Sequence, residues 1–196
     1  MTKAERTRQF IIETTAPIFN SRGYEGTSIS DITSATGLTK GSVYGNFKDK
    51  NELAAASFDH NLGKIRNEII RRSVGLTDPV DQLLVYVDFY GEVFDKVYVS
   101  GGCPLLNAAA DTDDSNPKLF SRVCSAMLEW HTHIRKITAY GIKKEIFLPE
   151  TDAAVFADQF VSLIEGGMLL SKTFQNKRHL DSNLNLIRKM ISEMTR

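Results

Sequence analysis

The stretch Ser28-Ile29-Ser30-Asp31-Ile32-Thr33-Ser34-Ala35-Thr36-Gly37-Leu38-Thr39-Lys40-Gly41-Ser42-Val43-Tyr44-Gly45-Asn46 reads as two short helices joined by a tight turn. Ser28 and Asp31 stand three apart, the spacing of a capping box, and open a helix to about Ala35. Thr36-Gly37-Leu38 is the turn, where Gly37 supplies a positive φ, and Thr39 caps a second helix through Asn46. Ile32, Ala35, Leu38 and Val43 are spaced to pack the two helices together. Two short helices around a glycine-containing turn describe a helix-turn-helix. The second helix presents hydroxyls, an ammonium, a phenol and an amide at Thr39, Lys40, Ser42, Tyr44 and Asn46, the chemistry of a groove reader. Gly41 and Gly45 each cost about 1 kcal/mol of helix propensity against alanine, and their lack of bulk admits a close approach to DNA. Any two short capped helices in an α protein share this outline, so spacing alone leaves plain helical packing open as well.

Outward from this stretch, helical spacing recurs and no window alternates apolar and polar residues over strand length. A first helix of about Lys3 to Ser21 places Ile11, Thr15, Ile18 and Phe19 on one face, with Pro17 inside it and expected to bend it. Asp49 and Glu52 form another capping box, opening a long helix to about Ser73. Asp78-Pro79 starts a helix to about Val99, Gly101-Gly102 breaks it, and Cys103-Pro104 begins a shorter one. Pro117 opens a long helix to about Phe147, Thr151 or Asp152 caps another to about Asn176, and a last one covers roughly Leu180 to Thr195. The expectation is an all-α fold of about nine helices.

Of the 196 residues, 42% are hydrophobic and 24% charged, an ordinary globular balance. Lys plus Arg and Asp plus Glu are 24 each, for a net charge of zero, which rules out polybasic coating of DNA but not a focused basic face. Residues 1–50 hold seven Lys or Arg against five Asp or Glu, a net of +2, and residues 51–196 a net of −2. Two cysteines are too few for a disulfide-stapled secreted fold. The most apolar run, Val155 to Leu170, is interrupted by Asp158, Gln159 and Glu165, so the expectation is a cytoplasmic protein with no membrane span. No metal or cofactor is expected. His131 and His133 diverge on a helix, and Asp111 to Asn116 lacks the glycine and glutamate of a calcium loop, with Asn116 and Arg122 at those positions. Nothing pairs a nucleophile with a base or forms a phosphate loop or zinc motif, so an enzyme is not expected.

The run Phe19-Asn20-Ser21-Arg22-Gly23-Tyr24-Glu25-Gly26-Thr27-Ser28-Ile29-Ser30-Asp31-Ile32, followed by Ala35-Thr36-Gly37-Leu38-Thr39-Lys40-Gly41-Ser42-Val43-Tyr44-Gly45-Asn46-Phe47-Lys48-Asp49-Lys50-Asn51-Glu52-Leu53, resembles the N-terminal domain of the TetR/AcrR transcriptional regulators. The resemblance covers about residues 4–64 and implies a DNA-binding domain there, with its helix-turn-helix at about 27–46. It implies a ligand-binding and dimerisation domain at 65–196. It further implies a homodimer that represses transcription at a palindromic operator, one recognition helix per half-site. By position, Thr27 and Ser28 would bond phosphates at the start of the second helix. Thr39, Lys40, Gly41, Ser42 and Tyr44 would face the groove, and Lys50 would hold a phosphate. Asn46 departs from the family, where histidine is commonest; asparagine can contact phosphate or adenine. Lys3, Arg6 and Arg8 are either further DNA contacts or a solvated first turn.

A regulator needs an input. Tyr86, Phe89, Tyr90, Phe94 and Tyr98, with Trp130 and His131, would line a cavity for a small, partly apolar effector, or else are ordinary packing. Gly101-Gly102-Cys103-Pro104 resembles a segment in a subset of TetR-like regulators. Cys103 at a helix N-terminus has the setting of a reactive thiolate, with glycines leaving room for approach and Lys172 as a possible neighbour, or else is a small buried hydrophobe; Cys124 is expected to be buried and structural. The signal is thus a small molecule, electrophile or oxidant. Val161, Ile164, Gly167 and Met168, with Ile187, Met190 and Ile191, form apolar stripes expected to build a dimer interface. The rival to a regulator is a helical adaptor or small-molecule-binding protein without sequence-specific DNA binding.

Overall fold

In a computed structural model of the chain, the backbone is described for residues 1–99 and 101–196 and the side chains for residues 1–94 and 101–196. Among these are the helices α1 (Lys3–Arg22), α2 (Ile29–Thr36), α3 (Lys40–Tyr44), α4 (Lys50–Ser73), α5 (Pro79–Val99), α6 (Pro104–Thr112), α7 (Pro117–Lys143), α8 (Ala153–Thr173) and α9 (Arg178–Met194). They fall into two compact units. One comprises Met1–Arg66 and Ser100–Cys124, the other Asn67–Val99 and Ser125–Arg196. In this division α6 and the first turns of α7 belong with α1 to α3 and the part of α4 up to Arg66, whereas the sequence suggests a linear boundary near residue 64.

Local chemistry sets the helix ends. Thr2 and Glu5 close a capping box on α1, Ser28 and Asp31 close one on α2, and Asp152 accepts from the amides of Ala154 and Val155 at the start of α8. Gly37 ends α2 in the left-handed conformation at φ 67°. Pro17 lies on the exposed side of α1, and the helix continues through it to Arg22. A carbonyl that loses its proline-blocked partner there faces water. In the first unit, Ile11, Thr15 and Phe19 are buried as their spacing predicts, and Ile18 is half-buried. Phe19 stacks on Tyr24 at 5.6 Å, and Tyr24 meets Phe58 of α4 edge-on at 6.4 Å. Ile32 and Val43 hold α2 and α3 to this core, while Thr36, not Ala35, faces inward.

In the second unit α5, α8 and α9 pack on one another. Gly167 lets them close up: a Cβ there would stand 3.0 Å from the Leu180 backbone of α9. Asn183 donates to the Leu163 carbonyl at 2.8 Å, and the Leu180 amide donates to the Ser171 hydroxyl at 2.8 Å. By length and composition α8 is apolar enough to cross a membrane, although three polar residues were expected to disqualify it. Part of it is buried inside the protein, where Phe156, Phe160, Ile164 and Met168 serve as core.

α7 ends at Lys143, short of the expected Phe147. Its last turn closes when the Gly141 carbonyl accepts from the amides of Ile146 at 3.0 Å and Phe147 at 3.2 Å, with Glu145 at φ 58°. This folds the fully buried Phe147 ring back over Gly141, where a Cβ would lie 2.1 Å from the ring. Helix propensity favours alanine over glycine by about 1 kcal/mol, but overpacking costs about 1–3 kcal/mol. Gly141→Ala is therefore expected to lower the urea midpoint, and an unchanged or raised midpoint would show that Phe147 is loosely held.

Candidate functional site

α3 has five residues and is held by Val43 on its inner side, which leaves Thr39, Lys40, Gly41 and Tyr44 exposed and Ser42 half-buried. The Thr39 hydroxyl accepts from the Ser42 amide at 3.1 Å, and the Lys40 ammonium stands 5.9 Å from the Tyr44 ring centroid. The two glycines divide in role. A Cβ on Gly41 would meet only the Thr39 hydroxyl at 3.9 Å, so nothing among the described residues requires glycine there. On Gly45 it would crowd the Gly41 carbonyl at 3.3 Å, a reason internal to the turn. Asn46 donates its amide to the Ser42 carbonyl at 2.9 Å and is half-buried. Arg8 is drawn in as well: its guanidinium lies 4.0 Å over the Phe47 ring, donates to the Asn46 carbonyl and pairs with Glu52 at 2.8 Å.

The expected phosphate contacts around α2 are revised. Thr27 is fully buried and its hydroxyl donates to the Gly23 carbonyl at 2.7 Å, so that hydroxyl shapes the loop rather than meeting a phosphate. Ser28 is exposed, but its hydroxyl donates to Asp31 at 2.5 Å and the Asp31 amide returns a bond at 3.2 Å. Hydrogen bonds from Ser28, followed by the Arg22 ion pair at 2.8 Å, hold the Asp31 carboxyl below the usual aspartate range. Lys50 is likewise engaged: its ammonium donates to the carbonyls of Tyr24 at 3.1 Å and Glu25 at 3.3 Å and stands 3.7 Å from the Glu25 carboxylate. In this conformation it is a loop clamp rather than a phosphate ligand.

Of the two readings of Cys103 the buried one holds, while Cys124, expected to be buried, is not. Cys103 is buried at the N-cap of α6, and Cys124 is exposed on α7. Gly101 and Gly102 have φ of 98° and 95°, and a Cβ on Gly101 would fall 2.8 Å from Ser21 Cα. These glycines admit the end of α1, not a reagent. Asn20 donates to the Gly102 carbonyl at 2.9 Å, and Asn107 donates to the carbonyls of Gly101 at 2.7 Å and Asn20 at 3.0 Å. Lys172 is half-buried on α8 and belongs to the second unit, Cys103 to the first.

Within the second unit the aromatic residues pack on one another. Trp130 stacks near-parallel to Tyr86 at 6.3 Å and to Tyr90 at 5.8 Å, Phe89 meets Tyr90 edge-on at 5.1 Å, and Phe94 is buried. The Tyr98 side chain lies outside the described residues. His131 Nε2 stands 2.8 Å from an Asp158 carboxylate oxygen, near enough for an ion pair but not aligned as a hydrogen bond. The Trp130 indole N–H is buried with no acceptor among the described residues. Sequence reading missed Phe160, whose ring meets Tyr86 at 6.0 Å, and the buried carboxyl of Glu165, because a hydrophobic helix gives no sign of which neighbour each residue meets. Among the described residues no group of three or more His, Cys, Asp or Glu is placed to hold a metal ion.

The stripes expected at a dimer interface are interior instead. Val161, Ile164, Gly167, Met168, Ile187 and Ile191 are buried within one chain, because α8 and α9 pack on each other and on α5. Met190 is half-buried beside an open groove of about 290 Å³ whose lining includes Val155, Phe156 and Met194. The exposed apolar residues of these helices are Val155, Leu169, Leu170, Phe174 and Leu186, and Gly166 has nothing within 4 Å of its Cβ position.

Residues 11–57 match the family model of bacterial regulatory proteins of the tetR family, and residues 79–187 match the tetracyclin repressor-like C-terminal domain. A TetR-family transcriptional regulator from Cytophaga hutchinsonii superposes with a TM-score of 0.92 at 36% identity, over 100% of this chain and 98% of the other. A TetR regulator from Chloroflexus aurantiacus gives 0.93 at 34%, over 100% and 99%. Among curated relatives, the uncharacterized HTH-type transcriptional regulator YxaF of Bacillus subtilis is 28% identical over 92% of each chain.

Two measurements test this local chemistry. Under native conditions Cys124 is expected to react with a thiol reagent as an open cysteine does, with Cys103 following only on unfolding; a fast second thiol would contradict the burial. The Asp31 carboxyl is expected to titrate by NMR below the ordinary value of about 3.9. Because its folded pKa is depressed, the stability it adds is present above the unfolded pKa and is lost as pH falls through the folded one. Ser28→Ala should move that titration back up.

Proposed function

The chain belongs to the TetR family of bacterial helix-turn-helix transcriptional regulators, and from that membership we propose that it is a ligand-responsive repressor that binds a palindromic operator as a homodimer. The observation that carries the reading is the exposed row Thr39, Lys40 and Tyr44 on α3 beside a glycine that no contact among the described residues requires. An open backbone at Gly41 allows α3 to sink into a major groove, where a hydroxyl, an ammonium and a phenol meet base edges and phosphates. With no net charge on the chain, operator affinity rests on few placed contacts, doubled by dimerisation.

The dimer face we assign is the exposed apolar set on α8 and α9, Leu169, Leu170, Phe174 and Leu186, with Gly166 open for close approach. For the signal, the Trp130 stack and its indole N–H, which meets no acceptor among the described residues, favour a planar, partly apolar effector carrying a hydrogen-bond acceptor. The burial of Cys103 favours such a ligand over an oxidant. α4 and α7 each run unbroken from one unit into the other. Effector binding would then shift the population of dimer shapes and mis-space the two recognition helices, which must enter grooves about 34–36 Å apart.

Gel-shift titration against DNA upstream of the protein's own gene should give salt-sensitive, sequence-specific retardation. Lys40→Ala should weaken binding across sequences and reduce the salt slope by about one. Absence of specific retardation would favour the adaptor reading. Leu170→Glu with Phe174→Glu should convert a sedimenting dimer to a helical monomer; an unchanged dimer would place the interface elsewhere. Trp130, the chain's one tryptophan, should lose fluorescence on titration with an aromatic effector, and Trp130→Leu should abolish induction while leaving operator binding intact.

A further inference from the structure

Residues 23–27 join α1 to α2, and the loop's polar backbone is met by two charged side chains from outside the helix-turn-helix. The amides of Tyr24 and Glu25 donate to one oxygen of Asp111, at 2.5 Å and 3.2 Å. The carbonyls of the same two residues accept from the Lys50 ammonium at 3.1 Å and 3.3 Å. Successive amides aimed at one anion form a nest, and here a side chain of α6 fills it. Gly23, at φ 89°, is required at this point, because a Cβ would lie 3.2 Å from both Asp111 carboxylate oxygens. Asp111 is in the last turn of α6 and Lys50 opens α4. The other end of α6 is held to α1 by Asn20 and Asn107 through the carbonyls of Gly101, Gly102 and Asn20.

We infer that Asp111 is a positioning residue for DNA binding: α6, far along the chain from the helix-turn-helix, sets the place of α2 and hence of α3 by gripping the loop that leads into them. The inference rests on the operator-binding reading above. The Asp111–Lys50 clamp is the connection. Three residues separate Glu25 from the first residue of α2, so a shift of the loop is passed to the α2 N-terminus within one turn's length. α6 is joined through the chain to α5 at one end and α7 at the other. A displacement of either end of α6 therefore pulls on the loop rather than being absorbed in solvent.

A double-mutant cycle tests the clamp. Operator affinity is measured for wild type, Asp111→Asn, Lys50→Met and the double variant, with amide hydrogen exchange recorded on each free protein. Loss of a charge-assisted bond to two amides is expected to weaken operator binding about tenfold. The amides of residues 24 and 25 should lose protection while those of Ile32 and Val43 keep theirs. Because the two side chains act on one loop, the double variant should resemble either single one. Independent, multiplying losses would mean that Lys50 acts on phosphate and would overturn the shared clamp. Full affinity of Asp111→Asn with exposed loop amides would overturn the positioning role, and so would a loss of protection spread over the whole unit, which marks a structural role only. Should Asp111→Asn fold poorly, Asp111→Glu keeps the charge, and partial recovery of affinity is expected from it. If wild type itself shows no specific binding, the operator reading fails, and the exchange pattern still reports whether the clamp exists.

Discussion

A backbone that turns sharply between helices must find partners for its amides and carbonyls, and the first unit is organised around how residues 23–27 do so. The amides go to Asp111 of α6, the carbonyls to Lys50 of α4, and the Gly23 carbonyl to the buried Thr27 hydroxyl. Tyr24 sends its side chain into the core between Phe19 and Phe58. Burial in this apolar setting pushes its phenol pKa well up, so it stays neutral at any working pH. One short loop thereby ties together α1, α4 and α6, and the position of α2 follows from it.

The reading helix depends on that assembly more than on its own propensity. Five residues with an internal glycine cannot hold a helix alone, since isolated helices shorter than about 12–15 residues are marginal in water. α3 persists because Val43 and Phe47 are buried and Thr39 caps its start. Arg8 braces the exit by covering the Phe47 ring and bonding the Asn46 carbonyl. A side chain that sequence suggests for DNA is thus spent on holding the reader still. Rigidity of this kind benefits recognition, because groups already placed lose less entropy when they meet their partner.

The second unit divides its apolar residues between two uses. Ile164, Met168, Ile187 and Ile191 fill the contact of α8 with α9 and α5, and Gly167 permits the close approach. Leu169 and Leu170 on α8 and Phe174 at its C-cap are exposed. A single helix carries both sets, which explains why α8 is hydrophobic enough to resemble a membrane span while only part of it is core. Helical spacing identifies an apolar stripe but does not say whether the same chain or a second one covers it.

Helices, caps and the helix-turn-helix were legible because they depend on residues close in sequence: a serine three places before an aspartate, a proline at a first turn, a glycine where φ is positive. Net charge spoke against polybasic coating of DNA for the same additive reason. What tertiary structure alone decided are the pairings between distant residues. These put Asp111 on the Tyr24 and Glu25 amides, turned Lys50 inward, buried Thr27 and Cys103, and left Cys124 exposed. Each depends on which helix lies alongside which, a matter of packing and backbone satisfaction across as many as 87 positions of chain. Local chemistry determined where most of the helices start and which segment forms the helix-turn-helix; only the packed chain determined where α7 stops and what holds α3 in place.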